Sequence, residues 1–445
     1  MELKMAFGKT GLLVKLPDGP RYEVVRAHAA LAIQDVDAAL GAALDAPIGC
    51  APLAEMARGR KTAAISVCDI TRPAPNRLTL PPMLARLHAA GMRPQDIRIC
   101  IATGLHRKAT AAELDLILGP EIAAAYPIVN HDAKDEASQA FLGETQRGTP
   151  VWIERTYLDA DLHLSLGFIE QHLMLGFSGG RKMIAPGLAG EATIRTIHSP
   201  RFMREALATE GSIDENPLHA ELLEIARMVR QDFICDVTLT QAREICGVFA
   251  GDPVAAHAAG VAYLRHTSVQ HVEQPVDAAI TSAAGYPLDL TFYQTIKGIT
   301  AAQHIVKPGG AILIVSECAE GIGSTEFAAK LSSYQGAQSF LDSIRDTPVV
   351  PDQWQLEKLA LVALRHPLLF YVPGTEPAQL GSLAQASFAS IDAALQALVE
   401  SLPKAASVAV LPDGPYAYAR VAERPPAIDT PQTGGDTQGT FSGGF

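Results

Sequence analysis

Long apolar runs are missing from this sequence. No window reaches the roughly 18 apolar residues that a membrane helix needs, so no membrane partner is expected. The first residues, MELKMAFGKTGLLVKLPDG, lack a charged stretch followed by a sustained apolar one. No secretory leader is therefore expected, and the chain reads as cytoplasmic. Cysteine is scarce: the six thiols, at 50, 68, 100, 235, 246 and 318, form no C-x-x-C pair. Cys68 and Cys100 lie in strand-like apolar runs, so buried thiols are expected rather than a disulfide framework. Basic charge is outweighed, with 36 Lys and Arg against 48 Asp and Glu and a net charge of −12. That argues against a nucleic-acid partner, whose phosphates need clustered cations. A small anion stays compatible, since a local group of Arg, Lys and His can oppose the global sign.

The 445 residues, 48% hydrophobic and 19% charged, exceed one compact core and imply two or three folded domains. Strand-like runs alternate with helix-like segments. Residues 62–70, 96–104, 161–168 and 233–240 read as strands, and 76–92 as a helix closed by Gly91. Thr110 and Glu113 form a capping box for the next helix, and 190–208 is a broken helical stretch. The alternation predicts an α/β class. A new strand at 272–285 follows a Pro-containing join, with later strands at 309–317, 368–374 and 407–414. Two α/β domains are expected, 1–271 and 272–421, with the active site between them at the carboxyl ends of strands. Residues 422–445, rich in Pro, Gly and Thr, read as a mobile tail.

Several strands run directly into polar residues. Asp69, Thr71 and Arg72 follow the first, His106 the second, His172 the third, and Gly285-Tyr286-Pro287 the strand beginning the second half. Ligands in open α/β sheets collect outside the carboxyl ends of strands, so these ends suggest one shared pocket. Singly, each histidine could be structural, and Arg72 could be a surface ion pair. The densest segment is Gly176-Phe-Ser178-Gly179-Gly180-Arg-Lys182. Its glycines allow close backbone approach and could present N–H groups to an anion. It is not a Walker A loop, because Lys182 follows Arg181 and precedes Met183. A lysine in such a turn, between His172 and His198, is a candidate for covalent cofactor attachment or for phosphate binding. His198 is either a helix-end histidine or a ligand for nickel, zinc or copper. With no H-x-x-x-H or HExxH partner beside it, further ligands would have to arrive with a cofactor. Tyr293 and Gln294 open a helix in which Gln294 and Lys297 share one face. That face is either solvated or suited to a carboxylate.

Taken together, DITRP (69–73), TGLHR (103–107), EQHLMLGFSGGRKMIAPG (170–187), TIHS (196–199) and PLDLTFYQTIKG (287–298) resemble the nickel-dependent lactate racemases, over nearly all of 10–420. The resemblance implies an isomerase: a racemase or epimerase of 2-hydroxy acids. Its cofactor is a nickel pincer nucleotide, nickel pyridinium-3,5-bisthiocarboxylic acid mononucleotide, supplied by cofactor biosynthesis enzymes. It further implies that Lys182 holds that cofactor through a thioamide, with Asp69, Thr71, Ser178, Gly179 and Gly180 beside it. His198 would complete the nickel coordination. His106 and His172 would be paired acid/base catalysts, and Arg72, Gln294, Lys297 and Tyr293 would bind the substrate carboxylate or steady it. Hydride transfer through a 2-keto acid suits a substrate whose α-hydrogen is too weakly acidic for easy removal as a proton. Two bases on two faces are what reversible inversion needs.

The family often carries proline before the histidine at 172, where this chain has Gln171, followed by Leu173, Met174 and Leu175. That departure leaves malate, a longer or aromatic hydroxy acid, or a sugar acid such as gluconate as alternatives to lactate. A nicotinamide-dependent dehydrogenase would need a G-x-G-x-x-G turn between strand and helix, which is absent from the fitting places. A non-catalytic nickel or cofactor carrier would need neither His106 nor His172.

Overall fold

The computed structural model describes residues 1–27 and 30–422, so the tail expected at 422–445 falls, but for its first residue, outside the described residues. Two open sheets organise the chain. The first has six strands in the order Ile245–Gly251, Phe233–Leu239, Leu162–Phe168, Ala63–Cys68, Ile97–Ala102 and Ile128–Asn130. All neighbours are parallel except the Ile245–Gly251 edge. The inner strands are mostly apolar because both faces are covered; every residue of Ala63–Cys68 and Leu162–Phe168 is buried, the polar Ser66, His163 and Ser165 included. One face packs against Leu80, Met83, Leu84 and Leu87 of the Asn76–Ala89 helix. The other packs against Leu218, Leu222 and Ile225 of the Pro217–Val229 helix. The Thr110 capping box forms, with Glu113 N–H donating to Thr110 Oγ1 at 3.3 Å and Thr110 N–H to the Glu113 carboxylate at 2.8 Å.

The second sheet is wholly parallel, in the order Leu368–Tyr371, Val306–Val315, Val276–Ser282, Ser407–Leu411 and Arg21–Val24. The first 25 residues, expected with the N-terminal unit, thus join the other sheet. Arg21–Val24 is its edge strand, and Leu3, Met5, Val14 and Leu16 of an amino-terminal hairpin pack beneath it with Leu395 and Leu398. Burying the apolar face of that hairpin is reason enough.

In each sheet the strand order reverses once, between Ala63–Cys68 and Leu162–Phe168 and between Val276–Ser282 and Ser407–Leu411. A reversal leaves a crevice at the strand ends. From the first issue residues 69–72 and 170–172, and from the second the turn leading into the Phe292–Ala302 helix. The two units are tied by Arg204, which meets Glu357 at 2.7 Å. Lys358 adds bonds to the carbonyls of Met203 (2.8 Å) and Ala208 (2.6 Å). Among the described residues no helix is long and apolar enough to cross a membrane.

Candidate active site

The turn after Ala63–Cys68 holds a buried carboxylate. Asp69 accepts from Thr71 Oγ1 at 2.8 Å and meets His106 Nδ1, also at 2.8 Å. Burial pushes the Asp69 carboxyl up, but the hydrogen bonds from His106 and Thr71, with the charges of His106 and Arg72, hold it below the usual carboxylate range. It is therefore ionised at neutral pH and fixes Nδ1 of His106 as the protonated nitrogen, leaving Nε2 as the lone-pair nitrogen of the neutral ring. Asp69 and Thr71, expected beside the cofactor, thereby orient His106.

His172 lies on a two-strand hairpin, Gln171–His172 against Gly176–Phe177. Its Nδ1 is buried and has no hydrogen-bond partner. Burial drives its pKa well below the ordinary histidine value, and the charges of Lys182, Arg72, Lys297 and His198 act in the same direction. It is a neutral base beside a cluster of cations. Lys182 is pushed down to about 7, first by burial and then by Arg72 and Lys297, with Glu170 opposing. Lys297 falls to about 8 for the same reasons. Among the described residues, no salt bridge engages Arg72, Lys182 or Lys297. Gln294, one turn before Lys297, has a buried Oε1 with no partner. Both units therefore contribute to one cation-rich crevice, matched to a carboxylate.

His198 ends the Glu191–Ile197 helix, where its Nδ1 donates to Ile194 O at 2.8 Å. That bond leaves the lone pair on Nε2, and burial lowers the pKa to about 4, so the ring stays neutral and able to ligate. Among the described residues, no group of three or more His, Cys, Asp or Glu could hold a metal ion. A single free imidazole fits a metal whose other ligands come with a cofactor, and a buried lysine whose ammonium is pushed down to about 7 fits covalent attachment. The Ser178-Gly179-Gly180 segment is committed elsewhere. The Ser178 hydroxyl donates to Phe168 O and accepts from Glu170 N–H, while Gly180 N–H goes to Asp236 at 2.7 Å. A Cβ on Gly179, at φ +78°, would lie 2.5 Å from the same carboxylate. The partner of this turn is thus an internal carboxyl group, which burial pushes up to about 7 against the Gly180 hydrogen bond and the charge of Arg181.

Two neighbours escaped the sequence reading. Trp354 packs on His198 with ring centroids 4.5 Å apart and donates to Tyr293 Oη at 3.2 Å. It is one of only two tryptophans in the chain, which was the available signal. Glu170 stands where its charge opposes those of Lys182 and Lys297; its place at a strand end beside His172 was visible, its facing was not.

Comparison with known proteins fits this geometry. The lactate racemase N-terminal domain matches residues 7–211, and the lactate racemase C-terminal domain residues 271–416. Lactate racemase of Lactiplantibacillus plantarum is 36% identical over 375 residues, covering 83% of this chain and 88% of that protein. The chain belongs to the lactate racemase family. Lactate racemase of Thermoanaerobacterium thermosaccharolyticum is 30% identical over 421 residues, covering 93% and 97%. The solved structure of the lactate racemase apoprotein from that organism superposes with a TM-score of 0.86 at 29% identity, covering 95% of this chain and all of that one. A Thermotoga maritima protein shares the fold alone, at TM-score 0.62 and 15% identity, covering 87% and 97%. Family membership makes this chain a racemase, an enzyme of the isomerase class.

Proposed function

We propose that the chain racemises lactate, using a nickel pincer nucleotide held covalently at Lys182 with His198 as the protein ligand to nickel. The observation carrying this reading is the pair of unlike histidines around one cation cluster: His106 set by Asp69, and His172 buried, neutral and unpaired at Nδ1. Arg72 and Lys297 hold the substrate carboxylate, and Gln294 Oε1 is free to accept from its hydroxyl. When bound, the cofactor would supply the redox step, as a reversible acceptor of the α-hydride. One neutral histidine takes the hydroxyl proton as the planar 2-keto acid forms, and after inversion the other, in its protonated form, gives a proton of its own to the same oxygen, so that one turnover exchanges the protonation states of the pair. Support for lactate over larger hydroxy acids comes from the two relatives that carry that name.

The test uses protein produced together with the cofactor biosynthesis enzymes. Each lactate enantiomer should go to an equal mixture by chiral chromatography, and in heavy water no deuterium should enter the α-position. Rapid α-deuteration would overturn the hydride route. Racemisation of malate, a longer or aromatic hydroxy acid or gluconate, with lactate untouched, would overturn the substrate. Cofactor retained with no turnover of any of these would make the chain a carrier.

A further inference from the structure

A cavity of about 590 Å³ opens between the Pro217–Val229 and Ala255–Ser268 helices, a size suited to a small organic ligand. Its walls are mostly apolar, with Leu223, Val254 and Val261 among them, and it is lined also by His219 and His257. His219 Nδ1 is buried without a partner, and the two imidazoles lie 6.2 Å apart, nearly parallel.

Behind His257 is Arg181, only 1% exposed and next in sequence to Lys182. Its guanidinium donates to the carbonyls of Leu175 (3.0 Å) and Phe177 (2.9 Å), and lies 2.7 Å from His257 Nε2. The same Nε2 is 2.8 Å from Ser178 O. One nitrogen of a neutral ring cannot serve both: it needs a lone pair for Arg181 and a proton for Ser178. Burial, then the charge of Arg181, keeps the ring neutral by lowering its pKa well below the usual value. Whichever partner Nε2 satisfies, Nδ1 takes the opposite role, so whatever meets Nδ1 decides the matter. The Cγ–Cδ2 edge of the ring packs on Gly180, which turns the Nδ1 edge away from the loop.

Charge selects the ligand. Among the described residues, no carboxylate lies within ion-pair distance of Arg181; the buried Asp236 favours its charge only from beyond that distance, and a buried guanidinium without a direct partner is costly. A carboxylate accepting from Nδ1–H of His257 would leave Nε2 free to accept from Arg181 and would offset that charge. Arg265, at the mouth, already pairs with Asp214 at 3.3 Å and also reaches Gly211 O and the ring of Phe177.

We propose that this cavity is a second ligand site, for a small monocarboxylate with an apolar body, and that His257 passes its occupancy to the turn carrying Lys182. The probe is hexanoate, with hexanol as the uncharged control, on the full chain. Calorimetry should show saturable binding of hexanoate and none of hexanol. Ala258→Trp and Val261→Phe, which fill the cavity, should each lose it with the thermal midpoint retained. Ring ¹⁵N shifts should move His257 to the Nδ1–H tautomer, and hexanoate should change the rate of amine acylation at Lys182, read by peptide mass, in wild type only. Absent binding, equal binding of hexanol, or binding kept in a folded filled variant would overturn the site. Binding with unaltered His257 shifts and Lys182 acylation would overturn the coupling. If one filled variant fails to fold, the other decides.

Discussion

Replacing Asp69 by Asn keeps the shape of the side chain and removes the charge that sets His106. The carboxylate is 5% exposed, and the imidazole it meets at 2.8 Å is 46% exposed. A hydrogen bond to a charged group contributes about 1.5–3 kcal/mol, and water around half of the imidazole places this one near the lower end. At about 1.4 kcal/mol per decade, lost orientation costs roughly tenfold. Asn can also donate to Nδ1, which would place the proton on Nε2 and leave His106 in the wrong form to accept one. An added tenfold is expected from that, for a total near 100-fold, within the roughly 10²–10⁴-fold range of a general acid/base group. The assay is lactate racemisation by chiral chromatography, alongside intact mass to confirm that Lys182 is still loaded. Racemisation within about twofold of wild type on fully loaded Asp69→Asn would refute the reasoning. A fall that tracks lost loading would instead assign Asp69 to the cofactor.

Lys182→Ala should carry no cofactor mass, and an unchanged adduct would move the attachment elsewhere. With the ammonium of Lys182 pushed down to about 7 by burial, the neutral amine grows in as pH rises through 7, so acylation of the cofactor-free chain at Lys182 should plateau above about pH 8. A profile still climbing at pH 10 would mean an unperturbed lysine. His198→Ala should keep the lysine adduct but lose nickel, measured by metal analysis, while nickel equal to wild type returns His198 to a helix-end role. Arg72→Lys keeps charge but loses the planar fork, so kcat/KM should fall about 10–100-fold, the value of a charge-assisted pair. A change confined to twofold would mean that Arg72 does not grip the carboxylate.

Local pattern carried much of the architecture. The inner strands were legible because burial on both faces leaves mostly apolar, β-prone runs, and the Thr110–Glu113 cap because its chemistry is local. Arg21–Val24 was not, since its pairing with Ser407–Leu411 spans nearly the whole chain and four residues carry little periodicity. Ile245–Gly251, reading ICGVFAG, hides its edge strand behind glycines. Within the site, residues at strand ends could be named from sequence, but their partners could not. Asp69 and His106 lie in the loops that follow adjacent strands, and only the register of the sheet brings them to 2.8 Å. The glycine turn misled for a related reason. Its residue types suit an anion, and its Gly180 N–H is met by the buried carboxyl of Asp236, more than fifty residues away.

The substrate question turns on Gln171, and the hairpin supplies an argument about it. Successive residues of a strand project to opposite sides, so Gln171 faces away from the side that His172 presents. Ser178 N–H donates to Glu170 O at 2.8 Å, which makes the next pair, Gln171 opposite Phe177, one without ladder hydrogen bonds. Its N–H points outward, and proline fits there without breaking a bond. Met174 and Leu175 are 4% and 1% exposed and belong to the apolar core with Leu218 and Leu222, against which Leu173 packs partly buried. None of the four offers a hydrogen bond to an extra hydroxyl or second carboxylate, and without one a site discriminates by only about 1–3 kcal/mol per methylene. Gln171→Pro should therefore leave the order of preference among lactate, malate, longer hydroxy acids and gluconate unchanged, with lactate first. A reordered panel in kcat/KM, with cofactor loading intact, would show that Gln171 reaches the substrate after all and that the hairpin is rearranged when the site is loaded.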